Sequence, residues 1–379
     1  MAQVAGEKTS PASTEKTDSL ARDALVSLTK YASQKSSSTT TTCTVENAAR
    51  RREWGSLSGA ERIAYTNAVK CLMSLPSQLD AVDAPGAKSR YDDFVAIHIN
   101  QTLSIHGTAN FLSWHRLFVW VYEQTLRAEC NYQGHQPYWN WGKSAFDPLN
   151  SPIFDGSETS MSGNGAFAPH NCTNGLPTGL NCIPPGQGGG CVATGPFANM
   201  TVNLGSIGPT LDAAGVMPAA SPLAHNPRCL RRDISAWVSS NWTTDRDSWD
   251  LITLTDNITA FQTLMQGDFA RGFYGVHAAG HFTFGGDPGG DLWASPGDPA
   301  FYLHHAQIDR TWWIWQNYKS PESRTTAIGG TVTPNDTPPS QNGTIGDLLD
   351  LGILTAPLTI ARVMSTVGLT GGPLCYVYE

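Results

Sequence analysis

The sequence predicts a mainly α-helical protein whose long loops are stapled by disulfides and whose strands are few and short. Three observations lead to this fold class. Hydrophobic residues make up 40% of the 379 positions and charged residues only 15%, so the chain can bury a substantial core. Several segments place apolar residues three and four apart, which is the spacing of a helix with one buried face. Residues 143–225 have no sustained period and are rich in glycine, proline, asparagine and serine, which is typical of loops.

Residues 1–42 are predicted to form an N-terminal extension, and residues 43–379 the main domain. The extension ends in a low-complexity stretch of serine and threonine, which indicates a flexible tract. Before that stretch, SLARDALVSLTKYA has helical spacing. We expect this segment to be either a helix packed on the main domain or the remnant of a pro-segment.

The main domain is predicted to consist of helices, with at most short strands in the loops of residues 143–225 and in the tail from Thr325, which ends in LCYVYE. Ser58 and Glu61 have the spacing of a capping box, and Pro76 ends the helix that this box begins. No repeat of fixed period is visible, which favours one domain over two. The remaining helices are predicted over Arg90–Leu103, Phe111–Cys130, Asn257–Met265, Ala270–Phe282 and Asp298–Tyr318.

Charge and hydropathy argue against two classes of partner. The formal net charge is −8 and no basic stretch occurs, which argues against nucleic acid and anionic membrane surfaces. No apolar run approaches the roughly 18–20 residues of a membrane span. We therefore predict no nucleic-acid partner and no membrane partner, and the oligomeric state stays open.

Sequons and cysteines favour a secreted protein. The eight cysteines include no C-x-x-C pair, and Cys172, Cys182 and Cys191 lie in a Gly/Pro-rich stretch that can build little core. The N-terminal MAQVAGEKTS lacks the apolar core of a secretion signal, so we predict an extracellular glycoprotein whose signal has been removed. The disulfide connectivity stays open. The seven N-x-[ST] sequons begin at Asn100, Asn171, Asn199, Asn241, Asn257, Asn335 and Asn342.

Seven of the ten histidines fall in two short windows of the sequence. In the helix predicted from Phe111, His115 shares one face with Phe118 and Tyr122, so its side chain is predicted to point inward. The first window contains His98, His106 and His115, and the second contains His277, His281, His304 and His305.

Spacing also sorts the histidines of the second window. His277 and His281 are four residues apart on one side of a helix, which lets two imidazoles share one metal ion. In the next helix, His305 lies on the inward stripe of Phe301 and Trp312. A rotation of about 100° per residue prevents the adjacent His304 from facing the same centre. Two inward groups of three result: His98, His106, His115 and His277, His281, His305.

The residue types in these groups favour copper. Six buried neutral imidazoles would each need a partner, which makes six separate core roles less favourable than metal binding. Imidazole suits copper, zinc, iron and nickel. Di-iron sites take most of their ligands from glutamate in E-x-x-H spacing, which neither group has. Two all-nitrogen centres that face each other suit a pair of copper ions that binds O2.

Two motifs resemble those of the superfamily of tyrosinases, catechol oxidases and haemocyanins. HGTANFLSWHR, residues 106–116, resembles its copper-A motif, in which His106 and His115 occupy the positions of the second and third ligands. VHAAGH followed by DPAFYLHHAQIDRTWW resembles its copper-B motif, in which the second histidine of the pair, here His305, is the ligand.

Further segments extend the resemblance over roughly residues 43–379. PYWNW, residues 137–141, is similar to the family's Y-W-D-W segment, with Asn140 in place of the acid. The C-terminal YVY resembles the family's tyrosine motif, which would pair with Arg51 or Arg52. The chain is most similar to short fungal polyphenol oxidases without a C-terminal shielding domain. The resemblance implies a four-helix bundle that holds two copper ions as a type-3 site.

The surroundings of the site are also predicted. Asp309, one turn beyond His305, is expected to orient a ligand imidazole; the alternative is an ion pair with Arg310 or Arg116 on the surface. Some tyrosinases are thought to hold a water with an asparagine after the first copper-B histidine and a nearby glutamate. Here the residue after His277 is Ala278, and the polar candidates upstream are Gln266, which would be a poor base, and Asp268.

The loop between the copper-B histidines is predicted to pass near the open face. Gly289, Leu292 and Trp293 are the candidates for the substrate mouth, and Gly289 is expected to leave room for a bulky phenol. The residues predicted to be structural or on the surface are His135, His170, His225 and His304, and those predicted to lie in the core are Trp114, Trp120, Trp312, Trp313 and Trp315.

The resemblance implies an oxidase that converts o-diphenols and related ortho-substituted phenols to o-quinones while O2 is reduced to water. Two alternatives stay open. One is a tyrosinase that also hydroxylates monophenols, and the other is an oxygen carrier of the haemocyanin type. The expected cofactors are two copper ions, with O2 as co-substrate and small phenols as the other substrate.

Overall fold

The computed structural model describes residues 13–35, 43–172, 183–208 and 216–379. Helices dominate these residues, so the predicted fold class is confirmed. The helices are α1 Glu15–Lys35, α2 Gly59–Ser74, α3 Arg90–Ile105, α4 Phe111–Glu129, α5 Ala236–Trp242, α6 Asp245–Leu254, α7 Ile258–Gln266, α8 Gly275–Phe284, α9 Ala300–Tyr318, α10 Pro321–Arg324 and α11 Ile360–Val363.

Helices α3, α4, α8 and α9 form the predicted four-helix bundle, which carries all seven clustered histidines. The tryptophans predicted for the core lie in it: Trp114, Trp312, Trp313 and Trp315 are buried, and Trp120 is partly buried against the same cluster. Burial of this aromatic surface stabilises the bundle.

Helix α1 is the predicted helix of the N-terminal extension, and it packs on the main domain. Leu20, Ala24 and Leu28 on its inner face are buried. Arg310 of α9 donates a hydrogen bond from Nη2 to Asp18 Oδ1 over 2.8 Å. The division into two regions at residue 43 stays a prediction, and most of the serine/threonine stretch lies outside the described residues.

Local sequence signals explain where helices begin. Both hydrogen bonds of the predicted capping box between Ser58 and Glu61 are present at the start of α2. The predicted start of α8 at Ala270 is wrong, because backbone hydrogen bonds between Asp268 and Phe273 close a tight turn just before the helix begins at Gly275. Gly267, before this turn, and Gly272, within it, both have positive φ. The short helices α5 and α6 were not predicted from the sequence.

The described strands are short and form four two-stranded sheets. One sheet joins the beginning of the main domain to its end, because β1 pairs in parallel with β8, Ala49 opposite Tyr376. The strands are β1 Ala49–Arg51, β2 Gly165–Phe167, β3 Gly189–Val192, β4 Thr201–Val202, β5 Arg228–Cys229, β6 Leu348–Leu349, β7 Leu358–Thr359 and β8 Tyr376–Tyr378.

Disulfides tie the loops and termini to the bundle. Three bridges are described, and they are Cys43–Cys375, Cys71–Cys130 and Cys191–Cys229. Cys43–Cys375 lies beside the β1–β8 pair and closes a loop of 332 residues. Cys172 is also disulfide-bonded, and Cys182 lies outside the described residues. Among the described helices, none is both long and apolar enough to span a membrane.

Candidate metal centre

The bundle gathers the seven histidines into two groups. Within each group, every residue offers one ring nitrogen, and these nitrogens lie within 4.8 Å of one another. The predicted first group is reproduced, and the second contains its three predicted members together with His304. The groups are His98, His106, His115 and His277, His281, His304, His305.

Backbone carbonyls orient the rings of the first group. His106 Nδ1 donates to the carbonyl of Thr102 over 2.9 Å, and His115 Nδ1 donates to that of Phe111 over 2.8 Å. His98 Nδ1 donates to the carbonyl of Trp293 over 2.7 Å. A carbonyl can only accept, so each Nδ1 carries the proton and each Nε2 keeps a lone pair. The three Nε2 lone pairs are therefore available to bind a metal ion.

The second group is held less uniformly. His281 Nδ1 donates to the carbonyl of Gly289 over 3.2 Å, so its Nε2 also keeps a lone pair. His281 Nε2 lies 3.1 Å from His305 Nε2. This is about the separation of two nitrogens that bind one metal ion at ~2.0–2.1 Å each. His277 Nε2 is buried and has no hydrogen-bond partner among the described residues.

Burial keeps these imidazoles neutral. It lowers the pKa of His106 to about 4 and that of His281 to about 3. It is also the largest cause of the pKa decrease of the other five rings, well below the usual value, in His98, His115, His277, His304 and His305. Metal ions bind the neutral ring, so the donor set fits copper without prior loss of a proton.

The two groups face each other across the middle of the bundle. The ring centroids of His115 and His305 are 4.6 Å apart, and those of His106 and His277 are 6.0 Å apart. Buried Nε2 atoms without a hydrogen-bond partner in the described part of the chain occur on both sides, at His98 and His115 on one and at His277 on the other. Unpaired buried nitrogens are costly, and two facing metal ions would satisfy them.

Two histidines of the site are partly exposed. By the exposure of the whole residue, His106 and His281 are half-buried, whereas the other five clustered histidines are buried. They belong to opposite groups, so each group has one partly exposed residue.

His304 is buried, which excludes a place on the surface. Its Nδ1 accepts a hydrogen bond from Trp141 Nε1 over 3.1 Å. A Cβ added at Gly280 would overlap the His304 ring, so only glycine leaves this ring its space. His304 therefore joins the PYWNW segment to α8 and α9, which agrees with the structural role that the sequence predicted.

The prediction that Asp309 orients a ligand imidazole is wrong. Its Oδ1 accepts from Arg116 Nε over 2.5 Å, and its Oδ2 accepts from the hydroxyls of Tyr376 and Tyr378 over 2.5 and 2.6 Å. The alternative ion pair with Arg116 is thus present, although it is buried. Arg51 is the arginine of the tyrosine motif, since its guanidinium lies 3.6 Å from the Tyr376 ring centroid. Backbone carbonyls take the orienting role instead.

Gln266 and Ala278, at the positions compared with the water-binding residues of tyrosinases, have other contacts. Gln266 Oε1 accepts a hydrogen bond from the backbone N–H of Gly107 over 2.8 Å, so Gln266 supports the turn after His106. Ala278 lies in a buried apolar cluster with Tyr274 and Phe282. Its methyl group offers no hydrogen bond to a water.

The expected space at Gly289 is absent. A Cβ at this position would meet Phe284 Cδ2 at 2.5 Å, so the ring of Phe284 already fills the room that a phenol was expected to use. Gly289 contributes its carbonyl to His281 and Trp293 contributes its carbonyl to His98. Leu292 and Trp293 are half-buried, and their place at the mouth stays a prediction.

The three remaining histidines lie outside the two groups. His135 Nδ1 pairs with Glu123 Oε1 over 3.2 Å, and His170 Nε2 pairs with Asp233 Oδ2 over 2.9 Å. His225 is exposed. The structural or surface roles predicted for them are confirmed.

Sequence reasoning missed the carbonyl acceptors and the contact between Trp141 and His304. Two of the carbonyls, at Thr102 and Phe111, lie four residues before the histidine that they orient, so helical spacing alone could have identified them. The carbonyls of Gly289 and Trp293 come from a loop, and no sequence pattern specifies that contact.

Known proteins match the chain along most of its length. Residues 88–318 match the family model described as the common central domain of tyrosinase. Tyrosinase P of Aspergillus terreus is 40% identical over 339 residues, which cover 86% of this chain and 91% of that protein. N-acetyl-6-hydroxytryptophan oxidase ivoB of Emericella nidulans is 38% identical over 355 residues, which cover 89% of this chain and 94% of that protein.

A solved structure extends the similarity to the whole fold. A mutant polyphenol oxidase from Thermothelomyces thermophila superposes with a TM-score of 0.91 at 42% identity, and the match covers 98% of this chain and 99% of that one. The family model spans the helices that carry all seven clustered histidines. The chain therefore belongs to the tyrosinase family, and its two histidine groups form a dicopper site.

Proposed function

We propose that this family member is a secreted oxidase that converts o-diphenols and related ortho-substituted phenols to o-quinones. One O2 accepts four electrons and four protons from two diphenols, so two quinones and two waters result. The observation that carries the proposal is the pair of facing imidazole groups, each with one half-buried residue, His106 in the first and His281 in the second. We expect a diphenol to reach both centres between these two rings.

The ligand assignment is part of this proposal. One copper ion is held by His98, His106 and His115, and the other by His277, His281 and His305. His304 is left out because its Nδ1 accepts from Trp141, whereas His305 Nε2 points at His281 Nε2. When bound, the two ions supply O2 binding and electron transfer.

The chain's own residues supply position and protection. The carbonyls of Thr102, Phe111, Trp293 and Gly289 hold four of the rings in place, so little reorganisation is needed when substrate arrives. Phe301 stacks on His305 at a centroid distance of 4.1 Å and excludes water from that side. The diphenol gives up its two protons at the open side, where bulk water is available.

Monophenols are expected to react more slowly than diphenols. A phenol has a pKa near 10 and must lose its proton before it can bind a metal ion, which is costly at neutral pH. Ala278 cannot hold a water, and the Gln266 carbonyl is engaged by Gly107. The relative ivoB is named as an oxidase of a hydroxylated tryptophan, so hydroxyindoles belong among the test substrates.

The experiment is a substrate panel with copper-loaded protein. Catechols, aminophenols, methoxyphenols, hydroxyindoles and simple monophenols are compared by initial rate, with O2 uptake recorded in parallel. We expect rapid quinone formation from catechol at two quinones per O2, and a much slower rate on tyrosine. Equal initial rates on tyrosine and catechol without a lag would instead support the tyrosinase alternative. Reversible O2 binding without quinone would support the oxygen carrier.

The positions of the sequon asparagines in the structure support N-glycosylation, and with it secretion. The asparagines of all seven sequons have exposed side chains, so each can carry a glycan without disturbing the core. Peptide mapping of protein secreted by a fungal host, before and after enzymatic deglycosylation, measures which asparagines are occupied. A protein that stays inside the cell with all seven unmodified would contradict this part of the proposal.

A further inference from the structure

A cavity of about 470 Å³ lies on the outer side of α3 and α4, where the C-terminal loops cross these helices. None of the clustered histidines lines it, so it is separate from the dicopper site. Its volume is within the ~300–1,000 Å³ of typical small-molecule sites. We call it the outer cavity. The lining residues that matter below are Gln101, Trp114, Val332, Asp347, Leu348 and Asp350.

The inner wall of the outer cavity is fixed by side-chain hydrogen bonds. Trp114 Nε1 donates to Gln101 Oε1 over 2.9 Å, and Gln101 Nε2 donates to the carbonyl of Asp350 over 2.8 Å. The Trp114 ring also packs against the rings of His98 and His115, at centroid distances of 5.9 and 5.0 Å. The cavity is therefore preformed and is only one aromatic ring away from the first histidine group.

The outer wall combines negative charge with apolar surface. Asp347 accepts hydrogen bonds from the backbone N–H and the hydroxyl of Thr344, and Asp350 accepts from the N–H of Gly352, so both carboxylates are held in place. Leu348 lies between the two aspartates in the sequence, and its apolar side chain is 64% exposed. The described lining contains no lysine, arginine or histidine to neutralise the two carboxylates.

This combination selects a class of ligand. A cationic head group gains from two nearby carboxylates, and an apolar body gains from burial against Leu348 and Val332. An anion of the same shape would meet only like charge. We propose that the outer cavity binds aryl-alkyl ammonium compounds, with the ammonium group near Asp347 and Asp350 and the aromatic ring against the apolar wall. This site is distinct from the dicopper centre.

The test measures binding of 2-phenylethylammonium to the copper-loaded protein by calorimetry at low salt. This probe has no phenolic hydroxyl, so it is not a substrate of the proposed oxidase. We expect saturable binding with one site, and at least tenfold weaker binding of 3-phenylpropionate, which has the same ring and chain length but carries a carboxylate. The proposal is overturned if 2-phenylethylammonium shows no saturable binding at concentrations up to ~20 mM, or if both probes bind equally well.

Matched variants locate the site. Asp347→Asn and Asp350→Asn should each weaken binding of 2-phenylethylammonium about threefold, as for an exposed ion pair, and both together about tenfold. Asp155→Asn makes the same change of net charge at an exposed position outside the lining, and it should leave the affinity unchanged. Unchanged affinity in the double variant, or an equal loss in Asp155→Asn, overturns the assignment.

Two further measurements separate this proposal from the proposed function. Binding should persist after copper is removed by a chelator and, without O2 so that no quinone accumulates to react with the amine, in the presence of saturating catechol, because none of the clustered histidines lines the outer cavity. Loss of binding in either case would place the probe at the metal centre and overturn the proposal. The oxidase proposal is tested by quinone formation alone, so the two outcomes are independent.

Discussion

The two histidine groups differ in what fixes their rings. In the first group, His106 and His115 donate to carbonyls four residues earlier in the chain, so the turns that carry them also orient them. The third ring of the first group, His98, donates to the carbonyl of Trp293, 195 residues later in the chain. In the second group, His281 donates to the carbonyl of Gly289, eight residues later, and His305 has no carbonyl acceptor at Nδ1 among the described residues. Two of the three rings of the first centre are thus set by their own helical turns, whereas the rings of the second depend on the loop after α8 and on the packing of α8 against α9.

The largest expected effects come from removing one ligand on either side of this comparison. His115→Ala and His281→Ala should each lose one copper ion and all quinone formation, because the reaction needs both centres. Metal analysis and the catechol assay measure these effects. Two copper ions retained in both variants would contradict the proposed ligand groups.

A second pair of substitutions separates the adjacent histidines of α9. His305→Ala should lose copper and activity. His304→Ala should keep both, but its free energy of unfolding should fall by about 2 kcal/mol, because the buried N–H of Trp141 loses its acceptor. Metal content and denaturant unfolding distinguish them, and the reverse pattern of copper loss would make His304 the ligand.

A third prediction tests whether packing alone sets the second centre. Gly280→Ala puts a methyl group where the His304 ring lies, so α8 and α9 must move apart. We expect one copper per chain instead of two and a loss of about 2 kcal/mol in stability. Gly346→Ala is the matched control, since its added Cβ would meet only Thr344 Oγ1, at 3.6 Å. Equal copper content in the two variants would show that the second centre tolerates movement of its helices.

The smallest expected effect comes from a substitution of Glu123, which lies on α4 two turns after His115. Burial raises the pKa of Glu123, but Arg51 and His135 more than offset it, and the net result is a decrease from 4.5 to about 2. A lowered carboxyl pKa adds stability above pH 4.5 that is lost as the pH falls toward 2. Glu123→Gln should therefore reduce the pH dependence of the unfolding free energy in this range by up to about 1.4 kcal/mol per pH unit.

The control for this last variant is its metal content. Because His115 is oriented by its own helix, Glu123→Gln should still bind two copper ions at pH 7. Thermal unfolding between pH 2 and 5 gives the pH dependence. The same slope in the variant and the parent protein would show that Glu123 is not the group that titrates there.

Periodicity predicted the parts of the site that depend on a residue's own helix. The face shared by Phe301, His305 and Trp312 correctly gave the inward direction of His305, because helical geometry is independent of the rest of the chain. Contacts between distant segments could not be derived in this way. Spacing placed Asp309 one turn from His305, but its partners Arg51, Arg116 and Tyr376 come from three other parts of the sequence.

The same limit explains why the space expected at Gly289, in the predicted substrate mouth, is absent. Glycine at position 289 signals missing side-chain volume, yet the sequence does not show that Phe284 occupies it. The helices α5 and α6 were missed because each is only 7 to 10 residues long and Thr243 and Thr244 separate them. Short helices of this kind are stabilised by tertiary packing more than by their own pattern.

The network around Asp309 also constrains the order of events during synthesis. Arg51 enters it from the beginning of the main domain, and Tyr376 and Tyr378 enter it from the last four residues. Until those residues leave the ribosome, Asp309 and Arg116 cannot complete their buried contacts, and α9 lacks its final support. Chains arrested on the ribosome before residue 375 should therefore resist copper loading, which pulse labelling with metal can measure. Maturation of the metal centre then follows the synthesis of β8, although most of its ligands emerge much earlier.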